Sequence, residues 1–127
     1  MRLYNVAVSS LAIDAPIKWT DNLLSHHRLP GVISVRRGVT RGIPHEALVR
    51  LAIVRELHVR LGLGVADAVK LADHLLEAKD AGVHESGQLR VFIDLPALRR
   101  ALDTRLREAL ESAPAPRRGR PPRRSRM

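Results

Sequence analysis

Hydrophobic residues recur every three or four positions along most of the chain, which is the spacing of amphipathic helices. Asn5 can cap the first of these helices, and Pro16 and Pro44 stand where the second and third begin. Gly62 follows the third and permits the chain to turn. The pattern therefore predicts five helices, over residues 5–12, 16–27, 44–61, 65–78 and 94–111.

Two segments follow strand patterns instead. Residues 32–43 contain two short β-branched runs around Arg36-Arg37-Gly38, which predicts a hairpin, or wing, with arginines at its tip. Residues 88–93 are the clearest strand, and residues 81–87 before them are predicted as a turn. The predicted fold class is mainly α with a small β component.

The composition favours packed helices in a small intracellular protein. Among 127 residues only 2% are aromatic, so Leu, Val, Ile and Ala must fill the core. The lack of cysteine excludes disulfides, thiolate zinc sites and cysteine nucleophiles. Neither a membrane-spanning run nor a signal-peptide layout is present, so we predict a cytoplasmic, nucleoid-associated protein without a membrane partner.

The net charge of +9 points to a polyanionic partner, and its distribution divides the chain. Residues 114–127 hold six arginines and no acid, so residues 1–113 carry only +3. Residues 113–127 have nothing apolar to bury, which predicts a disordered basic tail. We therefore divide the chain into a head over residues 1–80, a strand and amphipathic helix over residues 81–112, and this tail.

The order of two short helices, an arginine-tipped hairpin and longer helices is that of a winged helix-turn-helix. The segment from Arg41 to Leu51, Arg-Gly-Ile-Pro-His-Glu-Ala-Leu-Val-Arg-Leu, resembles the junction between wing and helix in MerR-type DNA-binding domains. This resemblance implies that Arg41 contacts a phosphate and that Ile43, Leu48 and Leu51 are core residues. The long C-terminal dimerisation helix and the metal-sensing cysteines of that family's effector-responsive members are missing, so a metal-responsive activator is not predicted.

The second helix is the candidate recognition helix. Its side chains, with the residue just after it, offer hydrogen-bond donors and a stacking surface for phosphates and base edges: Lys18, Trp19, Asn22, Ser25, His26 and Arg28. Trp19 has a second interpretation as a packing residue, since a lone tryptophan on a short helix is commonly buried.

The wing and the tail supply further candidate contacts. Arg36 and Arg37 at the hairpin tip, with Arg41, are predicted to bind the DNA backbone or a minor groove; the alternative for the tip is a solvated loop. The tail contains Arg-Gly-Arg-Pro, which resembles an AT-hook core, while an unspecific polybasic tail is the alternative. The candidate tail contacts are Arg117, Arg118, Gly119, Arg120, Arg123 and Arg124.

We find no catalytic or cofactor motif in the sequence. The six histidines do not form a His-Glu-x-x-His pattern, and no Gly-rich phosphate loop or nucleophile elbow is present. We therefore predict a non-enzymatic protein with no metal and no cofactor.

These observations together predict a transcriptional regulator or architectural protein that binds double-stranded DNA. We expect a homodimer, through the strand at residues 88–93 and the helix at residues 94–111; that helix can cover the head or zip against another copy. One alternative is an antitoxin-like protein that also binds a partner protein. Another is an unspecific nucleoid or RNA-binding protein.

Overall fold

The computed structural model describes residues 2–33 and 41–112, and 62% of these residues are helical. The five helices are α1 Val6–Ala12, α2 Ile17–His26, α3 His45–Leu61, α4 Val65–Glu77 and α5 Leu95–Ser112. The four short strands are β1 Leu3–Tyr4, β2 Ile43–Pro44, β3 Val83–Ser86 and β4 Leu89–Phe92. The predicted class, mainly α with a small β component, is confirmed.

The helix ends follow the local signals in the sequence. The Asn5 side chain accepts a hydrogen bond of 2.8 Å from the backbone N–H of Val8 and so caps α1. Pro44 precedes α3 with an extended backbone, and Gly62 ends that helix in the left-handed region at a φ of 73°. Each predicted helix therefore begins and ends within two residues of the observed one.

The core is built around α3, which is buried on several sides. Seven of its residues are shielded from solvent: Ala47, Leu48, Val49, Leu51, Ile53, Val54 and Leu57. α4 and α5 pack against α3, and α1 packs against α2 and α5. Ile43, Leu48 and Leu51, the three core residues implied by the MerR resemblance, are completely buried.

α5 uses its apolar face within the chain. Leu95, Leu102, Leu106 and Ala109 are buried where this helix packs against α1 and α3. Of the two roles that the sequence left open for this helix, covering the head is the one that the structure shows.

The strands form two small antiparallel pairs. β3 pairs with β4 in a hairpin that brings Val83 opposite Phe92 and Ser86 opposite Leu89. The prediction of a turn across residues 81–87 was therefore wrong for β3. Its polar sequence, Val-His-Glu-Ser, lacks a strand pattern of its own and becomes a strand by pairing with β4.

The second pair lies at the base of the predicted wing. β1 pairs with β2, and Ile33 and Gly42 exchange two backbone hydrogen bonds of 2.9 Å. Residues 34–40, with the predicted hairpin tip and Arg36 and Arg37, lie outside the described residues.

Polar contacts join the start of α3 to α5. The Arg99 guanidinium donates to both carboxylate oxygens of Glu46, at 2.9 and 3.4 Å. His45 Nε2 lies 2.7 Å from Asp103 Oδ1, and His45 Nδ1 lies 3.8 Å from Glu46. The hydrogen bond from Arg99, together with the charges of Arg99 and His45, holds the pKa of Glu46 below its ordinary value of 4.5.

From the ion pair between Glu46 and Arg99 we expect a small pH-dependent contribution to the free energy of unfolding. A carboxylate whose pKa is lowered by folding stabilises the fold above the unfolded-state pKa and loses that contribution as the pH falls through the folded-state value. Because Glu46 is exposed, Glu46→Gln is expected to lower the free energy of unfolding at pH 7 by no more than about 1 kcal/mol. Urea unfolding should show the difference from the wild type narrowing as the pH falls below 4.5.

Glu108→Gln is the matched control, because the Glu108 carboxylate has no ion-pair partner among residues 2–33 and 41–112. A Glu46→Gln difference that stays constant from pH 7 to pH 3, or one no larger than that of Glu108→Gln, would contradict the assignment.

Candidate nucleic-acid interface

α1 and α2 form a fixed pair of short helices. Residues 13–16 join them, and within this turn Asp14 has a positive φ of 56°. The buried Ser10 hydroxyl donates to the Thr20 hydroxyl at 2.8 Å, and Thr20 Oγ1 lies 3.4 Å from the carbonyl oxygen of Pro16. A buried hydrogen bond between the helices thus sets the position of α2 relative to α1.

α2 has a buried side and an exposed side. Thr20 and Leu23 are buried against the rest of the chain. The predicted recognition residues other than Trp19 are exposed: Lys18, Asn22, Ser25, His26 and Arg28. The structure therefore brings these five side chains to the surface along one helix and its C-terminal end.

Trp19 packs between α2 and α3. It is half-buried, with its ring centroid 5.7 Å from that of His58 and with the Arg55 guanidinium 4.8 Å from the ring centroid. The Arg55 Nε also donates to the carbonyl oxygen of Asp14, at 3.1 Å. These contacts match the packing interpretation of Trp19, and a DNA contact by this side chain stays a prediction.

Arg41 is bound to α2. Its guanidinium forms an ion pair with Asp21 and donates to the Ser25 hydroxyl at 3.0 Å. Ser25 in turn donates to the carbonyl oxygen of Asp21 at 2.9 Å. The chain leaving residues 34–40 is thereby attached to the exposed side of α2, and the phosphate contact implied by the MerR resemblance stays a prediction.

A groove runs along the C-terminal end of α2. Its volume is about 1020 Å³, and its polar walls include Ser25, His26, Arg28 and Arg41. The bridge between Ile33 and Gly42 lies next to these walls and joins the two described parts of the chain on either side of residues 34–40. The six candidate contacts of the tail lie outside the described residues.

Along the sequence of the head, the positive charge is concentrated in the segment that contains α2. Residues 15–45 contain five Lys and Arg and a single acid, Asp21, whose carboxylate is paired with Arg41. The rest of residues 1–113 carries eleven Lys and Arg and twelve acids, so that part is close to neutral. This uneven distribution of charge is visible in the sequence alone, although the net charge of +3 over residues 1–113 does not reveal it.

Two further features were sought among the described residues. Within residues 2–33 and 41–112, no three His, Asp or Glu side chains come together as metal ligands. No helix in the described part of the chain is long and apolar enough to cross a membrane. The chain matches no protein-family model, and searches of curated proteins and of solved structures give no significant match.

Proposed function

We propose that this chain is a sequence-preferring DNA-binding protein of the winged helix-turn-helix type, which acts as a transcriptional regulator or an architectural protein. One observation carries the proposal: the net positive charge of the head lies in residues 15–45, where α2 exposes its hydrogen-bond donors. A basic surface with an exposed, well-supported helix is what entry into a major groove requires.

In this proposal different residues of the surface have different tasks. Lys18 and Asn22 are four residues apart on α2 and share its exposed side. An asparagine amide can bind adenine through two hydrogen bonds, and a lysine can bind guanine or a phosphate. Arg28 follows the helix, where a guanidinium suits a backbone phosphate. Sequence preference would then come from Asn22 and Lys18, and affinity from the surrounding cations.

A direct test is the selection of binding sites from random DNA by the full chain, followed by affinity measurement on the selected and on unrelated duplexes. Asn22→Ala is expected to relax preference at about one base pair, at a cost of about 1–3 kcal/mol on the selected site. Thr104→Ala removes an exposed polar side chain from α5, outside residues 15–45 and outside the β3–β4 hairpin, and serves as the control. If Asn22→Ala weakens binding to every duplex equally, α2 is not a recognition helix.

If the full chain binds all duplexes with the same affinity, the unspecific nucleoid protein is the better description.

The ion pair between Arg41 and Asp21 gives a second expected result. We propose that this pair positions α2, so Asp21→Asn is expected to lower the ratio of specific to random DNA affinity, even though removing an acid raises random binding. Arg41→Ala is expected to lower the same ratio and to weaken all binding. An unchanged ratio in Asp21→Asn, with uniform weakening in Arg41→Ala, would instead identify Arg41 as a phosphate contact.

The structure also changes where a homodimer contact is proposed. The apolar face of α5 is occupied within the chain, whereas Leu89 and Phe92 on β4 are 63% and 68% exposed. We therefore propose the β3–β4 hairpin as the dimer contact. Two half-sites separated by about one turn of DNA would support a homodimer.

A further inference from the structure

A cleft lies between α3 and α5, away from the exposed side of α2. Its volume is about 340 Å³, within the range of sites for small organic molecules. The helices present alanines where they line it, Ala52 on α3 with Ala97 and Ala101 on α5, and these small side chains leave the space open. Ile13, Ile93 and Leu102 complete an apolar lining.

The charged groups at the edge of the cleft differ in whether they have a polar partner within the described residues. Glu56 is paired with Arg60 at 2.6 Å, and Asp94 accepts a hydrogen bond of 3.0 Å from the backbone N–H of Ala97 at the start of α5. Arg105 also lines the cleft, and within residues 2–33 and 41–112 its guanidinium has no hydrogen-bond or ion-pair partner. The edge therefore offers one guanidinium that is available to an anion.

We propose that this cleft binds a small amphipathic carboxylate. The apolar part of the ligand lies against the alanines and the isoleucine and leucine side chains, and its carboxylate pairs with Arg105. A neutral apolar molecule would leave the guanidinium unused, and a compact polar anion would leave the apolar lining unfilled. This ligand class complements both the apolar lining and the Arg105 guanidinium.

The cleft also reaches the turn that precedes α2. Ile13 directly follows α1 and is the first residue of the chain between α1 and α2. A ligand in the cleft therefore contacts the turn that joins α1 to α2. Ligand binding itself does not depend on the proposed DNA-binding function, so the two proposals fail separately.

The test is a titration of the full chain with decanoate, followed by NMR of labelled isoleucine and leucine methyl groups. The methyl signals of Ile13, Ile93 and Leu102 are expected to shift and saturate together. Ile17 and Ile33 are exposed, do not line the cleft and serve as internal references. Decanol, the neutral analogue, is expected to shift the same signals with lower affinity.

Arg105→Gln is expected to weaken decanoate binding about threefold to fivefold and to leave decanol binding unchanged. Arg107→Gln is the matched control, because Arg107 is on the same helix, exposed and outside the cleft lining. This variant should bind decanoate with the affinity of the wild type. Ala101→Leu fills space at the exposed edge of the cleft and is expected to weaken both ligands.

Either of two results would overturn the proposal. One is the absence of saturable shifts at Ile13 and Ile93. The other is equal weakening by Arg105→Gln and Arg107→Gln, which would attribute the binding to general positive charge.

Discussion

Removing residues 114–127 is expected to weaken DNA binding roughly a hundredfold or more near 0.1 M salt, while the preference for the selected site remains. The segment carries six arginines and no acid. Each phosphate that a protein neutralises adds about −0.9 to the slope of log affinity against log salt, so the slope should become less negative by about 5 if all six arginines bind. Mobility shifts across a salt series, with the full chain and with residues 1–113, measure both quantities.

A second variant separates the two interpretations of the tail. Replacing its six arginines by lysines keeps the charge but removes the planar guanidinium groups that suit a narrow minor groove. An unspecific polybasic tail should keep most of its affinity, whereas an AT-hook-like tail should lose its preference for A·T-rich duplexes. If truncation leaves both the affinity and the salt slope unchanged, the tail has no part in DNA binding.

Gly82→Ala is expected to lower the free energy of unfolding by roughly 2–4 kcal/mol. Gly82 has a φ of 97°, which side-chain-bearing residues rarely adopt, and an added Cβ would lie 2.6 Å from the carbonyl oxygen of Ile93. Its backbone also donates to Leu75 and accepts from Ile93, both at 2.7 Å, so this residue joins α4 to the hairpin. Thermal unfolding should show a melting temperature lower by about 10–20 °C.

Gly87→Ala is the control within the same hairpin. Gly87 also has a positive φ, of 60°, but an added Cβ would meet no atom within 4 Å. Gly87→Ala should lower the free energy of unfolding by about 1 kcal/mol, because only the backbone conformation is unfavourable for alanine. Equal costs at the two positions would show that the close approach to Ile93 does not matter.

Much of the helical framework could be predicted because the signals are local. Asn5 accepts from the backbone N–H three residues ahead, and Gly62 ends α3 through its own conformation. Likewise, the apolar face of α5 follows from the spacing of its leucines. In each case the physical cause lies within one or two turns of the residue concerned.

The missed features depend on residues far apart in the chain. β3 has a polar sequence and becomes a strand only through β4, and β1 pairs with residues about forty positions away. Arg41 pairs with Asp21 twenty positions before it, and His45 meets Asp103 fifty-eight positions after it. The hydrophobic periodicity of the sequence does not predict such pairs, because the tertiary fold brings them together.

The candidate interface likewise combines features that the sequence predicts with features that depend on the tertiary fold. Composition identifies residues 15–45 as basic, and helical spacing places Lys18 and Asn22 on one side of α2. Which side faces solvent depends on Thr20 and Leu23 being buried, and that follows from packing against α1 and the core. The attachment of Arg41 to the same side was not predicted from the sequence.

The position of Trp19 has a practical consequence. It is the only tryptophan in the chain, and it lies where α2 meets α3, beside His58 and Arg55. Its fluorescence therefore reports on one helix junction, with no other indole to separate from it. The unlabelled protein thus contains a fluorescent probe of the packing of α2 against α3. Rapid-mixing measurements can follow this packing as DNA or a carboxylate is added.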